Sequence, residues 1–492
     1  MKEETTDSYS HILKYTGLFG GVQGLNLLIG LVRNKLIATL LGPSGMGLAS
    51  LFNTMVAFVS QATNLGISFS AVRHVSELFD EGDEERISHF VNVVRAWSLL
   101  TGLVGFLVCV AAGPLINYYT FSWGDHTLHF VLLAPAIFML AVAGGETAIL
   151  KGARRLRELA VMQLYNVFAA LVIAVPVYYF FGESGIVPVI VLTGFVSLLF
   201  AIRFSYRLYP LRLRGSKGVL GEGMDMVRLG VSFTLAGIVG SAAEMLIRSF
   251  LNVEGNLSDV GLYNASYMIT VIYAGMVFSA MESDYFPRLS GVSQDVEATN
   301  LTVNRQMEVS LLLLAPMLLA LIMMLPVLVP LMFSSEFQPI VDVTQLAVLA
   351  MYMKVLTLPV AYITLARGDS MSYLFLEASY FVVFVVLLIV GYRQWGLYGT
   401  GVAIVGAHVY DYLMINGYAY WRYGYRTTAV LMRYAILQTT LGIMAFVVTL
   451  QCAGWTYWIV EAVLTLVSTA YSLYVLRRKT HLWESLKRRF KI

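Results

Sequence analysis

Apolar residues occur along this chain in long runs, separated by short segments that carry most of the charge. A run of about twenty apolar residues crosses the roughly 30 Å hydrocarbon core of a membrane as an α-helix. The pattern predicts fourteen such spans. The first six lie near residues 13–41, 46–72, 90–116, 127–150, 158–181 and 184–206, the next six near 228–252, 259–283, 308–334, 342–366, 371–391 and 396–421, and a last pair near 428–450 and 455–476.

Two sets of six spans match in length, which predicts an all-α polytopic membrane protein with two six-helix lobes. The predicted N-lobe is residues 1–206, and a cytoplasmic linker at 207–227 joins it to the predicted C-lobe at 228–421. Residues 422–478 hold an extra pair of spans with no counterpart in the first half. Residues 479–492 mix basic side chains with large apolar ones, which predicts an amphipathic helix on the cytoplasmic membrane surface.

Composition agrees with a membrane protein, because 58% of the residues are hydrophobic and only 13% are charged. Soluble domains are nearer a quarter charged, so a soluble protein is excluded. The first apolar run begins near Leu13, exceeds the length of a signal-peptide core and is followed by no small-residue cleavage site, so we interpret it as a span. Cys109 and Cys452 lie in apolar segments and are expected to be buried thiols.

Basic loop residues follow the even-numbered spans, with Arg393 as the exception. Because basic residues favour the cytoplasmic side, both termini are predicted to be cytoplasmic. The loop Gly42–Gly45 is then outside. These features predict a multi-pass membrane protein.

A segment near the start of the chain recurs about two hundred residues later. LVRNKLIATLLGPSGMGLASLFN (Leu31–Asn53) aligns with LIRSFLNVEGNLSDVGLYNASY (Leu246–Tyr267), which pairs Arg33 with Arg248 and Gly47-Leu48 with Gly261-Leu262. An arginine inside an apolar helix is costly in lipid and is expected to face a cavity. Two such helices, one opening each half, are typical of a transporter with a central site.

Three basic residues are candidates for an anion-binding site within the membrane: Arg33, Arg248 and Lys354. Positive charge offsets the cost of moving phosphate or carboxylate through a region of low dielectric constant. Each arginine also has a structural alternative. Arg248 can pair with Glu244 four residues earlier on the same face, and Arg33 can extend outward to the membrane surface, as can Lys35.

Candidate coupling or ion-pair residues are Glu244, Glu377, His408 and Asp411. His408 and Asp411 share a helix face and could relay protons, although we favour a packed polar pair. Glu377 is expected to meet either Arg367 or Arg422. Two further acids are expected at the membrane surface: Glu146, beside Lys151, and Glu461, near a membrane edge.

The in-helix arginine, the Gly-rich outer turn and the Gly-Leu that opens the next helix resemble the MOP flippase superfamily. Residues Gly30–Asn53 and Leu246–Ile269 resemble the starts of the two lobes of Wzx-type O-antigen and polysaccharide-unit translocases, and the resemblance in organisation covers about residues 10–425. It implies two MATE-like lobes related by pseudo-two-fold symmetry. The family's basic cavity residues map onto Arg33 and Arg248, whereas Lys354 is added on depth alone.

The resemblance implies a flippase that carries an undecaprenyl-diphosphate-linked oligosaccharide, an O-antigen or related repeat unit, from the inner to the outer leaflet by alternating access. The expected partners are this substrate, membrane lipid and a polysaccharide polymerase with its chain-length machinery. We expect no catalytic residues, cofactor, metal or nucleic acid, and no P-loop indicates ATP hydrolysis.

Two alternatives remain open. An acidic C-lobe cavity at Glu244, Glu377 and Asp411 would favour a cation-coupled multidrug exporter, but the MATE branch typically has an acidic residue in its first helix and span one here has none. A membrane glycosyltransferase or polymerase commonly needs a sizeable extramembrane loop, and the predicted outer loops here are short.

Overall fold

The computed structural model describes residues 2–121, 125–210, 219–273, 275, 278, 285–286 and 288–479, with side chains described from Leu25 onward at most positions. The predicted tail beyond Lys479, the centre of the predicted linker and much of the second half of the predicted span 259–283 lie outside the described residues. What is described is almost entirely helical and contains no β-strand.

The helices of the first part of the chain are α1 (Lys2–Thr63), α2 (Ile67–Glu81), α3 (Glu84–Thr120), α4 (Thr127–Gly152), α5 (Leu156–Phe181), α6 (Ile186–Leu208), α7 (Val219–Glu222) and α8 (Met224–Glu254). Those of the second part are α9 (Leu257–Tyr267), which continues as a π-helix over Met268–Tyr273, then α10 (Val296–Met332), α11 (Ile340–Ala366), α12 (Ser370–Trp395), α13 (Leu397–Tyr423), α14 (Ala429–Gln451) and α15 (Gly454–Lys479).

Ten helical stretches among the described residues are long and apolar enough to cross a membrane. Leu28–Thr63 covers parts of the first two predicted spans, whose second helix ends at Thr63 rather than continuing to residue 72, and Arg157–Leu208 holds the spans predicted at 158–181 and 184–206. The predicted span at 259–283 is only partly described, and α13 is rich in glycine, tyrosine and polar residues. The prediction of an all-α polytopic membrane protein is therefore confirmed.

The chain divides into two compact units. The first unit is Met1–Gly261 with Met332–Ser334, and the second is Leu262–Leu331 with Ser335–Ile492. The C-lobe predicted from the sequence repeat begins at residue 228 and so includes α8. In the structure α8 belongs to the first compact unit instead, because it packs against α1 and α2. In the second unit α11 is the central buried helix and packs against α12, α13 and α14.

Short polar side chains begin several helices. Asp83 accepts hydrogen bonds from the backbone nitrogens of Glu85 and Arg86 at 3.1 and 3.0 Å, which caps α3. The Asp369 carboxylate caps α12 in the same way. Hydrogen bonds from Ser372 and Tyr423 lower the pKa of Asp369. These caps satisfy amide groups that a helix leaves without partners at its first turn.

The sequence predicted an outer turn at Gly42–Gly45, and the structure shows there a helix break of one residue, Gly42. Gly42 has φ 64° and ψ −172°, a backbone conformation that glycine adopts at little cost. Pro43 follows at once, and it suits the first turn of the resumed helix because its missing N–H would have no partner there. The sequence therefore predicted the position of this break, while the helix resumes sooner than expected.

The two glycines paired by the sequence repeat lie directly against each other. A Cβ added to Gly47 would lie 1.9 Å from the Leu257 carbonyl oxygen, and one added to Gly261 would lie 1.9 Å from the Pro43 carbonyl oxygen. Residues 43–47 and 257–261 thus cross backbone to backbone. This crossing explains why both copies of the repeat carry glycine at this position.

Gly47→Ala is expected to lower the melting temperature of the purified protein in detergent, because no neighbouring side chain can move aside for the new methyl group. Overpacking of this kind costs about 1–3 kcal/mol. The matched control is Gly144→Ala in α4, where nothing lies within 4 Å of the added Cβ. Alanine should be neutral or stabilising there. Equal melting temperatures for Gly47→Ala and the wild type would contradict the close crossing.

Candidate functional site

Arg248 of α8 is buried, with 4% of its surface exposed. Its Nε donates a 2.8 Å hydrogen bond to the Ser50 hydroxyl of α1. Its Nη1 lies 3.2 Å from both the Glu244 carbonyl oxygen and the Glu244 carboxylate. The alternative in which Arg248 pairs with Glu244 is therefore confirmed, and the guanidinium also joins α8 to the second half of α1.

One small cavity is lined in part by Arg248. It has a volume of about 10 Å³ and is lined largely by apolar residues such as Leu51, Met55 and Phe121. Such a volume holds about one water molecule. On the next residue, the Ser249 hydroxyl lies 3.1 Å from that of Thr120. A phosphate could reach Arg248 from this cavity only if the packing of α8 against α1 opened.

Arg33 lies in α1, before the break at Gly42, and is partly buried. Its Nε is buried and has no hydrogen-bond partner among the described residues. The guanidinium interacts electrostatically with Tyr178, a buried residue of α5. Lys35 donates a hydrogen bond to the Phe333 carbonyl, so its ammonium binds protein backbone within the first unit and does not simply extend outward. Arg33 thus retains a buried donor that an anion could satisfy.

Lys354 belongs to a charged group in the second unit. It interacts electrostatically with Glu377 of α12 and Asp411 of α13. Glu377 also accepts a hydrogen bond from Tyr373, so its described contacts are not the expected Arg367 or Arg422. Lys354 therefore lies within electrostatic range of two carboxylates.

His408 is buried in α13, with 4% of its surface exposed. Its Nδ1 lies 2.9 Å from the Ile404 carbonyl oxygen, so this nitrogen carries the proton and donates it to the backbone. The ring packs edge-on against Tyr380 with centroids 5.5 Å apart. These contacts show His408 as a packed polar residue, and both its pairing with Asp411 and a role in proton relay stay predictions.

The expected pairing of Glu146 with the basic loop at Lys151 is wrong. Glu146 is 1% exposed and bonds Arg95 of α3, whose Nε and Nη2 lie 2.9 and 3.3 Å from its carboxylate oxygens. Arg95 Nη2 also donates to the Tyr209 carbonyl at 2.9 Å, and the guanidinium stacks 3.9 Å from the Tyr206 ring centroid. The pair joins α3, α4 and the end of α6.

Glu461 lies two turns into α15 and is fully buried, and its expected position near a membrane edge stays a prediction. Across the described ranges, His, Cys, Asp and Glu side chains form no group of three or more that could hold a metal ion.

The candidate anion-binding residues of the first unit are Arg33 and Arg248, and that of the second unit is Lys354.

Residues 36–342 match the polysaccharide biosynthesis protein family. The chain belongs to this family. The chain is also similar to the lipid III flippases of Escherichia coli (strain K12) and Shigella flexneri, each 22% identical over 410 residues, which is 80% of this chain and 94% of the relative. These relatives are transporters rather than enzymes.

Solved structures show which fold this member of the polysaccharide biosynthesis family adopts. The lipid II flippase MurJ in an inward closed conformation aligns with a TM-score of 0.70 at 13% identity, covering 94% of this chain and 99% of that one. An inward-facing MATE multidrug transporter of the MOP superfamily aligns with a TM-score of 0.66 at 16% identity, covering 87% and 96%. The fold is that of the MOP superfamily.

Proposed function

We propose that this protein is a flippase that carries a polyprenyl-diphosphate-linked oligosaccharide from the inner to the outer leaflet by alternating access. The observation that carries the proposal is the match of residues 36–342 to a polysaccharide biosynthesis family on a MOP fold. Relatives named as flippases of lipid III and lipid II support a lipid-linked saccharide precursor as the class of substrate. Within that class we propose an undecaprenyl-diphosphate-linked O-antigen or related repeat unit.

The chemistry of the headgroup fits the arginines of the first unit. A diphosphate moving through a low-dielectric region needs compensating positive charge, and guanidinium groups bind phosphate oxygens in a bidentate manner. Arg33 has a buried Nε without a protein partner among the described residues, which makes it the leading candidate. Arg248 is the second, because its contacts with Ser50 and Glu244 must rearrange before it can bind phosphate.

Lys354 is the weakest of the three anion-binding candidates, because the nearby carboxylates Glu377 and Asp411 compete with an anionic ligand for its ammonium. The same observation counts against the multidrug exporter, which would use carboxylates to bind a cationic drug. Glu377 and Asp411 both interact with Lys354, and Glu244 pairs with Arg248. In addition, the sequence from Leu25 to Thr63 of α1 contains no acidic residue.

The proposed location is a bacterial inner membrane with both termini cytoplasmic, as the distribution of basic loop residues predicts. In that orientation the Gly42 break lies outside. A polysaccharide polymerase and its chain-length machinery are proposed partners on that side, because a flipped repeat unit must be consumed there.

The proposed function is tested by deleting the gene in its own host. Lipid-linked oligosaccharide should then accumulate on the cytoplasmic leaflet while surface polysaccharide is lost, and the wild-type gene should restore both. A deletion strain that gained sensitivity to lipophilic cations, with no accumulated precursor, would instead favour the exporter. Unchanged surface polysaccharide would contradict the proposal.

A further inference from the structure

Glu461 is an acid whose surroundings do not account for its charge. It is 0% exposed, and both its carboxylate oxygens are buried without a hydrogen-bond partner among the described residues. An ionised carboxylate in this situation is strongly disfavoured, because burial removes its hydration and nothing replaces it. Glu461 therefore needs a ligand that neutralises it.

Three other polar residues on the same face of α15 do have partners. One turn earlier, the Tyr457 hydroxyl donates to the Met323 carbonyl of α10 at 2.8 Å. Two turns later, the Ser468 hydroxyl donates to Gln438 of α14 at 2.6 Å, and the Gln438 amide donates to Ser472 at 3.0 Å. Two groups on this face have no hydrogen-bond partner among the described residues: the Glu461 carboxylate and, one turn later, the Thr465 hydroxyl.

A cavity lies one helical turn from Glu461. It has a volume of about 550 Å³ and is lined by residues of α10, α11, α14 and α15, including Asp342, Gln345 and Tyr457. Gln345 donates a 3.3 Å hydrogen bond to the Tyr457 hydroxyl. Tyr457 lies four residues from Glu461, about 6 Å along the helix axis. The turn between α14 and α15 at this end is on the predicted outer side.

The charged groups on the surrounding helices do not balance Glu461. On α11, Tyr352 and Asp342 lie on this side, whereas Lys354 interacts with Glu377 and Asp411. On α10, Glu308 forms an ion pair with Lys479. On α14, Arg433 is next in sequence to Tyr434, whose ring also contacts Lys479. Lys479 is about 27 Å along α15 from Glu461. The neighbours described on these helices therefore supply tyrosine hydroxyls and a second acid but no cation.

We propose that Glu461 is a proton-binding site, reached from the predicted outer face through the cavity at Gln345 and Tyr457. One proton on either carboxylate oxygen cancels the buried charge without the several oxygen ligands that a metal cation requires. The site lies in the last pair of helices, outside the two sets of six predicted spans. It does not depend on the proposed transport substrate.

Infrared difference spectroscopy of the full-length protein in liposomes tests this site. At neutral pH the wild type should show a protonated-carboxyl stretching band that is reduced in Glu461→Gln. The matched control is Asp342→Asn, which removes an exposed carboxylate that lines the same cavity. This control should retain the whole band.

An identical band in Glu461→Gln and the wild type would overturn the proposal. Sodium ions added at constant pH should not change the carboxylate region of the spectrum. A sodium-induced change that disappears in Glu461→Gln would assign the site to a metal cation and would also overturn the proposal. If Glu461→Gln does not fold, carbodiimide labelling of the wild type followed by peptide mass spectrometry replaces it, because this reagent modifies protonated carboxyls. Glu461 should be labelled and the ion-paired Glu308 should not; absence of label on Glu461 would contradict proton binding.

Discussion

Arg33→Ala is expected to reduce translocation of the lipid-linked oligosaccharide by about tenfold to a hundredfold, with normal amounts of protein in the membrane. The size follows from losing a charge-assisted hydrogen bond worth about 1.5–3 kcal/mol. Little instability should result, because the Arg33 Nε bonds no other described residue. Arg33→Lys should restore part of the activity, since an ammonium keeps the charge but cannot form the two parallel bonds of a guanidinium.

Arg248 provides the comparison that separates binding from folding. Arg248→Ala should reduce translocation similarly and also lower stability, because it removes the bond to Ser50 and leaves Glu244 without its cation. The stability loss should be modest, since the Glu244 side chain is 38% exposed and solvent can replace part of the interaction. Adding Glu244→Gln should restore protein levels without restoring transport. Full activity in an Arg33→Ala, Arg248→Ala double variant would contradict anion binding at these residues.

Arg95→Ala is expected to have the largest effect on stability. The substitution leaves Glu146 buried and unpaired, and breaking a buried ion pair in this way costs about 3–5 kcal/mol. It also removes the donor to the Tyr209 carbonyl and the contact with Tyr206, so the end of α6 loses its link to α3. The measurement is the melting temperature in detergent together with the amount of protein in the membrane.

Two variants control this prediction. Arg73→Ala removes the partner of Glu77 in an ion pair whose side chains are 60% and 53% exposed, and such pairs contribute at most about 1 kcal/mol. Replacing Arg95 and Glu146 together by methionine and leucine should recover much of the lost stability, because no uncompensated charge then remains buried. An Arg95→Ala protein as stable as Arg73→Ala would show that the pair does not hold these helices together.

Much of the fold could be predicted from the sequence, because the lipid core imposes the length and polarity of each span. The break at Gly42 followed from a Gly-Pro pair inside an apolar run. The repeat also identified Gly47 and Gly261 before their backbone crossing was known. These features depend on local sequence or on duplication, and both can be read along a single chain.

The partners of charged residues could not be predicted in the same way. Hydropathy indicates how deep a residue lies, but not how its helix is rotated or which helix packs against it. Arg95 and Glu146 are 51 residues apart and lie on different helices, so their pairing could not be predicted. The position of Arg95, five residues inside the predicted span 90–116, does indicate a buried charge that needs a partner. Lys354 illustrates the same limit, because its depth was predicted but Glu377 and Asp411 were not predicted as its partners.

Transport in a purified system tests the central claim most directly. The protein is reconstituted into liposomes whose leaflets both contain a fluorescent polyprenyl-diphosphate oligosaccharide, and a quencher that does not cross the membrane is added outside. With wild-type protein, fluorescence should fall toward zero as inner-leaflet molecules are moved outward. With Arg33→Ala, the fall below half should be about tenfold to a hundredfold slower. Without protein, fluorescence should stop near half. A wild-type trace that also stops near half would contradict the account.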